Sequence, residues 1–385
     1  MKKKRGWRCS AAVALLALGL GAAGASAQTY TVMGFNDLGM HCMQNDFSQM
    51  MILPPFNTLH AQVIRRGSEP SIVTGNVTVS YEIPTNTHSS DKCNFWVNAP
   101  QLLGAPLAPD VGLAGFGLSG AMAPDSTHRT FAATGIPLTP VDDDGKESPY
   151  NMALITVKNG TGTVLAQTQA VVPVSWEMSC NLCHNTPGVS TATDILTRHD
   201  ALHGTTLLQQ QPVLCAGCHS DNALGLPGQP GVSSLSAAMH TAHAPRMSQI
   251  TLQNECYACH PGVRTNCLRD VHVAAGKTCT DCHGSMAQVG SSTRNPWVDL
   301  PRCGDCHHVT GHEYEQPGTR FRDSIGHGGV QCMTCHSSPH AVGAAVTEKD
   351  NAQANRLQGH TGPLNNCLAC HTSQPTESFP HRYEP

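Results

Sequence analysis

Seven times the chain repeats the five-residue pattern C-x-x-C-H: Cys180-Asn181-Leu182-Cys183-His184, Cys215-Ala216-Gly217-Cys218-His219, Cys256-Tyr257-Ala258-Cys259-His260, Cys279-Thr280-Asp281-Cys282-His283, Cys303-Gly304-Asp305-Cys306-His307, Cys332-Met333-Thr334-Cys335-His336 and Cys367-Leu368-Ala369-Cys370-His371. Two thiols held two residues apart can add across two vinyl groups at one porphyrin edge. The adjacent His then turns its ring to the iron from the same face, which makes the pattern the signature of c-type haem attachment. On this reading the fourteen motif cysteines bind seven haems and the seven motif histidines are proximal iron ligands. Zinc would use C-x-x-C knuckles in pairs to collect four ligands. Seven copies leave one knuckle without a mate, and zinc gives no reason for a His after every second Cys. A redox dithiol needs one or two copies.

A six-coordinate haem iron needs a second axial ligand. Of 22 His, seven are in the motifs and four, His41, His60, His88 and His128, precede them; eleven remain. His199 and His203 are four residues apart and His240 and His243 three apart, so each couple shares a helical face. Ligands that close cannot reach one iron from opposite sides, so each couple is expected to serve two neighbouring haems. His327, His340 and His360 have Gly or Pro beside them, which lets backbone approach a porphyrin closely. These seven form the expected distal set. His381 is a further candidate, for a haem of this chain or of a neighbouring copy; His272, His308 and His312 stand outside the set.

The elements that must position these residues fall into two regions. Between 28 and 176, runs at 59–64, 71–83, 153–158 and 164–174 are alternating or β-branched, and turn residues such as Pro54-Pro55, Gly75-Asn76 and Asp144-Gly145 separate them. Asn159-Gly160 between two such runs is the strongest hairpin signal. A small antiparallel, sandwich-like β-domain is expected over 28–176, followed over 177–385 by a haem-packed domain of short helices and loops, with helical segments at 190–203 and 232–243. The motifs start 35, 41, 23, 24, 29 and 35 residues apart, too irregular for a solenoid in register. With only 5% aromatic residues and 62 Gly and Pro among 385, porphyrins packed against one another would replace much of an ordinary core.

The first residues read as a leader. Lys2, Lys3, Lys4, Arg5 and Arg8 precede an apolar stretch at 11–23, and Ala25-Ser26-Ala27 ends it, so a signal peptide over 1–27 is expected. The stretch is too short to anchor in a bilayer, and Gly19, Gly21 and Gly24 lie in or beside it. Without the leader, 18 basic residues face 27 acidic ones, a formal charge of −9, which argues against nucleic acid as a partner. Export implies an oxidising compartment, periplasmic or extracellular, where Cys42 with Cys93 is the expected disulfide and Cys267 is left over. Two further clusters could suggest metal: Asp37, His41, Cys42, Met43 and Asp46, read rather as a turn, and Asp142-Asp143-Asp144-Gly145, oxygen-rich enough for Ca²⁺ but read rather as an acidic turn.

The motifs, the leader and the cysteine-rich half resemble the exported multihaem c-type cytochromes of metal-reducing and related bacteria, over about 180–381. The resemblance implies electron transfer between a redox donor and an acceptor protein or external acceptor, and self-association through the β-domain or C-terminus as in filament-forming members. The alternative is a multihaem oxidoreductase with one open catalytic haem, of the nitrite or hydroxylamine type. Such nitrite reductases usually carry a C-x-x-C-K motif, which this chain lacks. Hydroxylamine oxidoreductases carry eight motifs and a Tyr crosslink, against seven here and Tyr257, Tyr314 and Tyr383.

Overall fold

The computed structural model describes residues 29–376 and residue 381; the leader expected at 1–27, with Cys9, lies outside them. The N-terminal part is built from eleven strands: β1 (Tyr30–Phe35), β2 (His41–Cys42), β3 (Met50–Met51), β4 (Thr58–Arg65), β5 (Ser71–Val73), β6 (Thr78–Glu82), β7 (Ser119–Ala121), β8 (Ala123–Asp125), β9 (Thr130–Thr134), β10 (Tyr150–Lys158) and β11 (Val164–Ser175). One sheet runs β1-β4-β9-β8, with β5 also on β4, and is antiparallel throughout. The other runs β2-β11-β10-β6-β7 and is mixed, because β2 lies parallel to β11.

Strand alternation supplies the core between them. In β10, Asn151, Ala153, Ile155 and Val157 are buried at every second position. Ala153, Ile155 and Val157 join Val32, Leu59, Ala61, Val63, Phe131 and Ala133 from the other sheet in one cluster. The sheets approach closely at Gly34 in β1, where an added Cβ would run into Ile155 Cδ1 and Ala170 Cβ. The helix Phe95–Leu103 closes the core with Phe95, Trp96, Ala99 and Leu102, and ends at Gly104 in the left-handed region (φ 74°).

The β10–β11 hairpin forms where Asn159-Gly160 suggests it, through a longer loop than a two-residue turn. Asn159 Oδ1 accepts from the N–H of Thr161 and of Thr163, and the positive φ falls on Gly162 (85°).

From Cys180 onward the described chain is short helices and single turns, with one strand, Val213–Leu214, which pairs parallel to β3. Two of the helices begin on serine caps. Ser190 Oγ accepts from Thr193 N to start Thr191–His203, and Ser234 Oγ accepts from Ala237 N to start Leu235–His243. The separate apolar cluster in this region is small, centred on Met247, Ala258 and Met286.

Buried polar side chains join this region to the sheets. Gln353, on the helix Glu348–Gln358, accepts from Gly34 N at 2.8 Å and donates to Gly34 O at 3.2 Å, so its amide completes the open edge of β1. Gln62 Oε1 on β4 accepts from Gln331 N (3.0 Å) and Thr334 Oγ1 (2.6 Å). Arg269 and Asp350, 0% and 3% exposed at their side chains, form a bidentate pair at 2.7 and 3.0 Å.

Candidate functional site

Each C-x-x-C-H motif folds as one helical turn. The His N–H donates to the carbonyl of the first Cys at 2.9 Å in His184, 3.0 Å in His219, 2.9 Å in His260, 2.9 Å in His307 and 2.8 Å in His371. Cys279–His283 and Cys332–His336 are five-residue helices of the same register. One turn therefore brings the first Cys and the His together at all seven places. No motif cysteine is in a disulfide.

Every motif histidine faces a second histidine from elsewhere in the chain. Between ring centres, His184 is 6.3 Å from His243, His219 is 6.3 Å from His199 and His260 is 6.2 Å from His240. His283 is 6.0 Å from His340, His307 is 6.1 Å from His272, His336 is 5.8 Å from His381 and His371 is 6.1 Å from His327. A metal bonded to one nitrogen of each ring at about 2.0 Å, with each nitrogen about 1.1 Å from its ring centre, sets the centres about 6.2 Å apart. Rings sharing a direct N–H···N hydrogen bond would stand closer.

In eight of the fourteen rings Nδ1 meets a partner, as an oriented ligand requires, while His184 Nδ1 is buried without one. Nδ1 donates to a backbone carbonyl in His219 (Ser233, 2.8 Å), His240 (Ser236, 2.7 Å), His243 (Met239, 2.6 Å), His371 (Ser68, 2.9 Å) and His381 (Glu313, 3.3 Å). His199 Nδ1 donates to Thr205 Oγ1 (3.0 Å), whose hydroxyl donates to Asp200. His272 Nδ1 lies 3.2 Å from Asp270 Oδ1, and His340 Nδ1 lies 3.6 Å from Cys267 Sγ. Such contacts fix ring orientation and tautomer, and they leave Nε2 as the nitrogen for a metal.

At His340 the neighbouring Cys267 outweighs burial and raises the pKa, whereas in six other rings burial favours the neutral form, the one with a lone pair to give. Burial lowers the pKa of His260 to about 4, with His240 and His340 adding to the effect, and that of His283 to about 4, with His340 and Arg294 adding. Burial lowers His184, His199, His240 and His336 as well.

Among the described residues no group of three or more His, Cys, Asp or Glu converges on a metal position. Tetrahedral zinc takes three or four protein ligands. A haem iron takes its equatorial nitrogens from the porphyrin and only two axial ligands from the protein. Seven two-histidine pairs, each beside two thiols on a common turn, fit that requirement.

Five of the expected distal residues, His199, His240, His243, His327 and His340, stand opposite motif histidines. His240 and His243 turn to different partners, as their spacing requires. His203 and His360 do not. His203 is exposed with its ring 4.7 Å from His199, and His360 is exposed with Nδ1 on Thr361 O. Their places are taken by His272 and His381. His381 faces His336 of its own chain, so the expectation that it might serve a neighbouring copy has no geometric need behind it. The available signal for His272 was Asp270 two residues earlier, whose carboxylate both caps the following turn and meets the ring. His308 is exposed, and His312 packs 4.8 Å from His381.

One further expectation, the disulfide, is corrected, and the two clusters read as turns show no converging ligand set among the described residues. Cys42 and Cys93 are not bonded: Cys93 packs against the β-core, while the half-buried Cys42 on β2 lies in the electrostatic reach of Cys267 and Glu177. The Asp142-Asp143-Asp144 carboxylates do not converge on a calcium position. Asp143 takes Lys92 Nζ at 2.7 Å and Thr87, Asp144 takes Lys146 Nζ at 2.7 Å, and Asp142 meets Thr85. In the cluster around Asp37, His41 gives Nε2 to Pro54 O (2.7 Å), Asp37 meets Thr58 and His60, and Asp46 meets Asn94, so their side chains point apart.

Comparison with family models, curated proteins and solved structures yields no match. No helix among the described residues is long and apolar enough to cross a membrane.

Proposed function

We propose that this chain is an exported multihaem c-type cytochrome that carries electrons along seven covalently bound haems, working in the periplasm or outside the cell between a redox donor and an acceptor. The observation that carries the reading is the one-to-one match of seven C-x-x-C-H turns with seven opposed histidines at 5.8–6.3 Å. When bound, the haems would supply one-electron transfer. The chain's own part is to attach them through Cys180/Cys183, Cys215/Cys218, Cys256/Cys259, Cys279/Cys282, Cys303/Cys306, Cys332/Cys335 and Cys367/Cys370. It would also present an imidazole from each side of every iron and fix most of those rings through Nδ1.

Because each motif histidine has a facing partner, all seven irons would be closed to exchangeable ligands. That favours a carrier over a catalyst with an open iron. The interleaving of ligands supports a compact cofactor array: the helix Leu235–His243 contributes to the sites of both His184 and His260, and the helix Thr191–His203, which follows the first motif, contributes to the site of His219.

The test is expression of the full chain in a host with periplasmic c-type haem attachment. Haem that stays with the polypeptide under denaturing conditions, lost one equivalent at a time as successive motif cysteine pairs become Ser, is the expected outcome. A product without covalent haem, its thiols all open to an alkylating reagent, would overturn the reading.

A further inference from the structure

Cys267 lies outside all seven motifs and has no disulfide, yet it is held in place with unusual care. Arg269, two residues on, is fully buried; its Nη1 donates to the Cys267 carbonyl (3.1 Å), its backbone N–H donates to His340 O (2.9 Å), and its guanidinium is clamped by Asp350. This arrangement lays the 267–269 segment along His340, whose φ of 61° is uncommon for a non-glycine residue. The result is a contact of 3.6 Å between His340 Nδ1 and Cys267 Sγ. The opposed ring, His283, is 6.0 Å away on the other side. In the other non-motif rings with an Nδ1 contact described above, the partner is a carbonyl, a hydroxyl or a carboxylate; at His340 it is sulfur.

We propose that Cys267 is a positioning residue for one redox centre: its sulfur accepts the Nδ1–H of His340, orients that ring toward His283, and sets the reduction potential of the iron held between them. The inference rests on the seven-haem reading. The physical basis is that an acceptor on Nδ1–H makes the imidazole a stronger electron donor and so favours ferric iron. Sulfur is a weak acceptor, so the ring held by Cys267 gives less than one held by an oxygen. Removing even this acceptor should raise the potential of a single centre.

The experiment is a spectroelectrochemical titration of the full, haem-loaded chain as wild type, Cys267→Ala, Cys267→Ser and His340→Met. The last marks which of the seven components belongs to this site. Cys267→Ala should move that same component upward by about tenfold in its ferric-to-ferrous equilibrium, about 59 mV for one electron, with the other six unchanged. Cys267→Ser, which keeps an acceptor, should hold that component at or below its wild-type value. An unchanged component in Cys267→Ala, or movement of a different one, overturns the inference while leaving the seven-haem reading intact. A wild-type chain without seven covalent haems overturns that reading instead.

Discussion

His340 reaches His283 from a separate loop, their ring centres 6.0 Å apart, and neither residue lies near the other in sequence. The same holds for the other six pairs: the facing ring comes from a different stretch of chain than the motif it faces. Each pair therefore closes a long loop, and a metal bond across it would cross-link the fold as a disulfide does, by restricting the unfolded chain.

That arrangement has a consequence for the haem-free chain. The large apolar cluster lies almost wholly before residue 177, whereas the cluster beyond it centres on three residues. Full-length protein made without haem attachment should keep a protease-resistant β-region and be cleaved readily beyond 177. Limited proteolysis with mass spectrometry reads this, and equal resistance of both regions without haem would contradict it.

His243→Ala should leave seven haems bound, because Cys180 and Cys183 still hold the porphyrin, but turn one of the seven irons high-spin. His203→Ala and His360→Ala should leave all seven low-spin, since neither ring faces a motif histidine. Low-temperature EPR of the oxidised variants separates these outcomes.

The Arg269–Asp350 pair is buried on both sides. Asp350→Ala leaves the guanidinium without its counter-charge and should destabilise the protein by about 3–5 kcal/mol. The double replacement Arg269→Met with Asp350→Leu should cost much less, because no charge remains buried. Thermal melts of the three forms test this; equal losses in the single and double variants would contradict it.

Glu177 gives a pH-dependent contribution. Burial raises its pKa, but donors at Val263 N (2.8 Å), Arg264 N (2.9 Å) and Thr265 N and Oγ1 (2.6 and 2.8 Å) outweigh that, so its folded value lies below the ordinary 4.5. A depressed carboxyl stabilises fully above its unfolded pKa, and that stability is lost as pH falls through the folded value. Melting temperature should therefore fall more steeply below about pH 4.5 in wild type than in Glu177→Gln. Parallel curves would show that the carboxylate contributes nothing.

The helical turns at the seven C-x-x-C-H motifs were legible in the sequence because the pattern is local. The histidines facing the motif rings were legible only in part. Helical spacing found His240 and His243, but it also suggested His203, which shares a face with His199 yet points into solvent, and it had no way to find His381. The long β-runs were readable from alternation. The helix Glu348–Gln358 was not, because it is polar nearly all round and docks through the Gln353 amide and Arg356 rather than through an apolar stripe.

The most direct test of the seven-haem reading is a haem count per chain joined to EPR of the oxidised, purified protein before and after addition of cyanide. Seven covalent haems, all low-spin and unaltered by cyanide, are expected from seven closed histidine pairs. Fewer than seven, or a high-spin signal that shifts when cyanide binds, would contradict the account and point to an open iron.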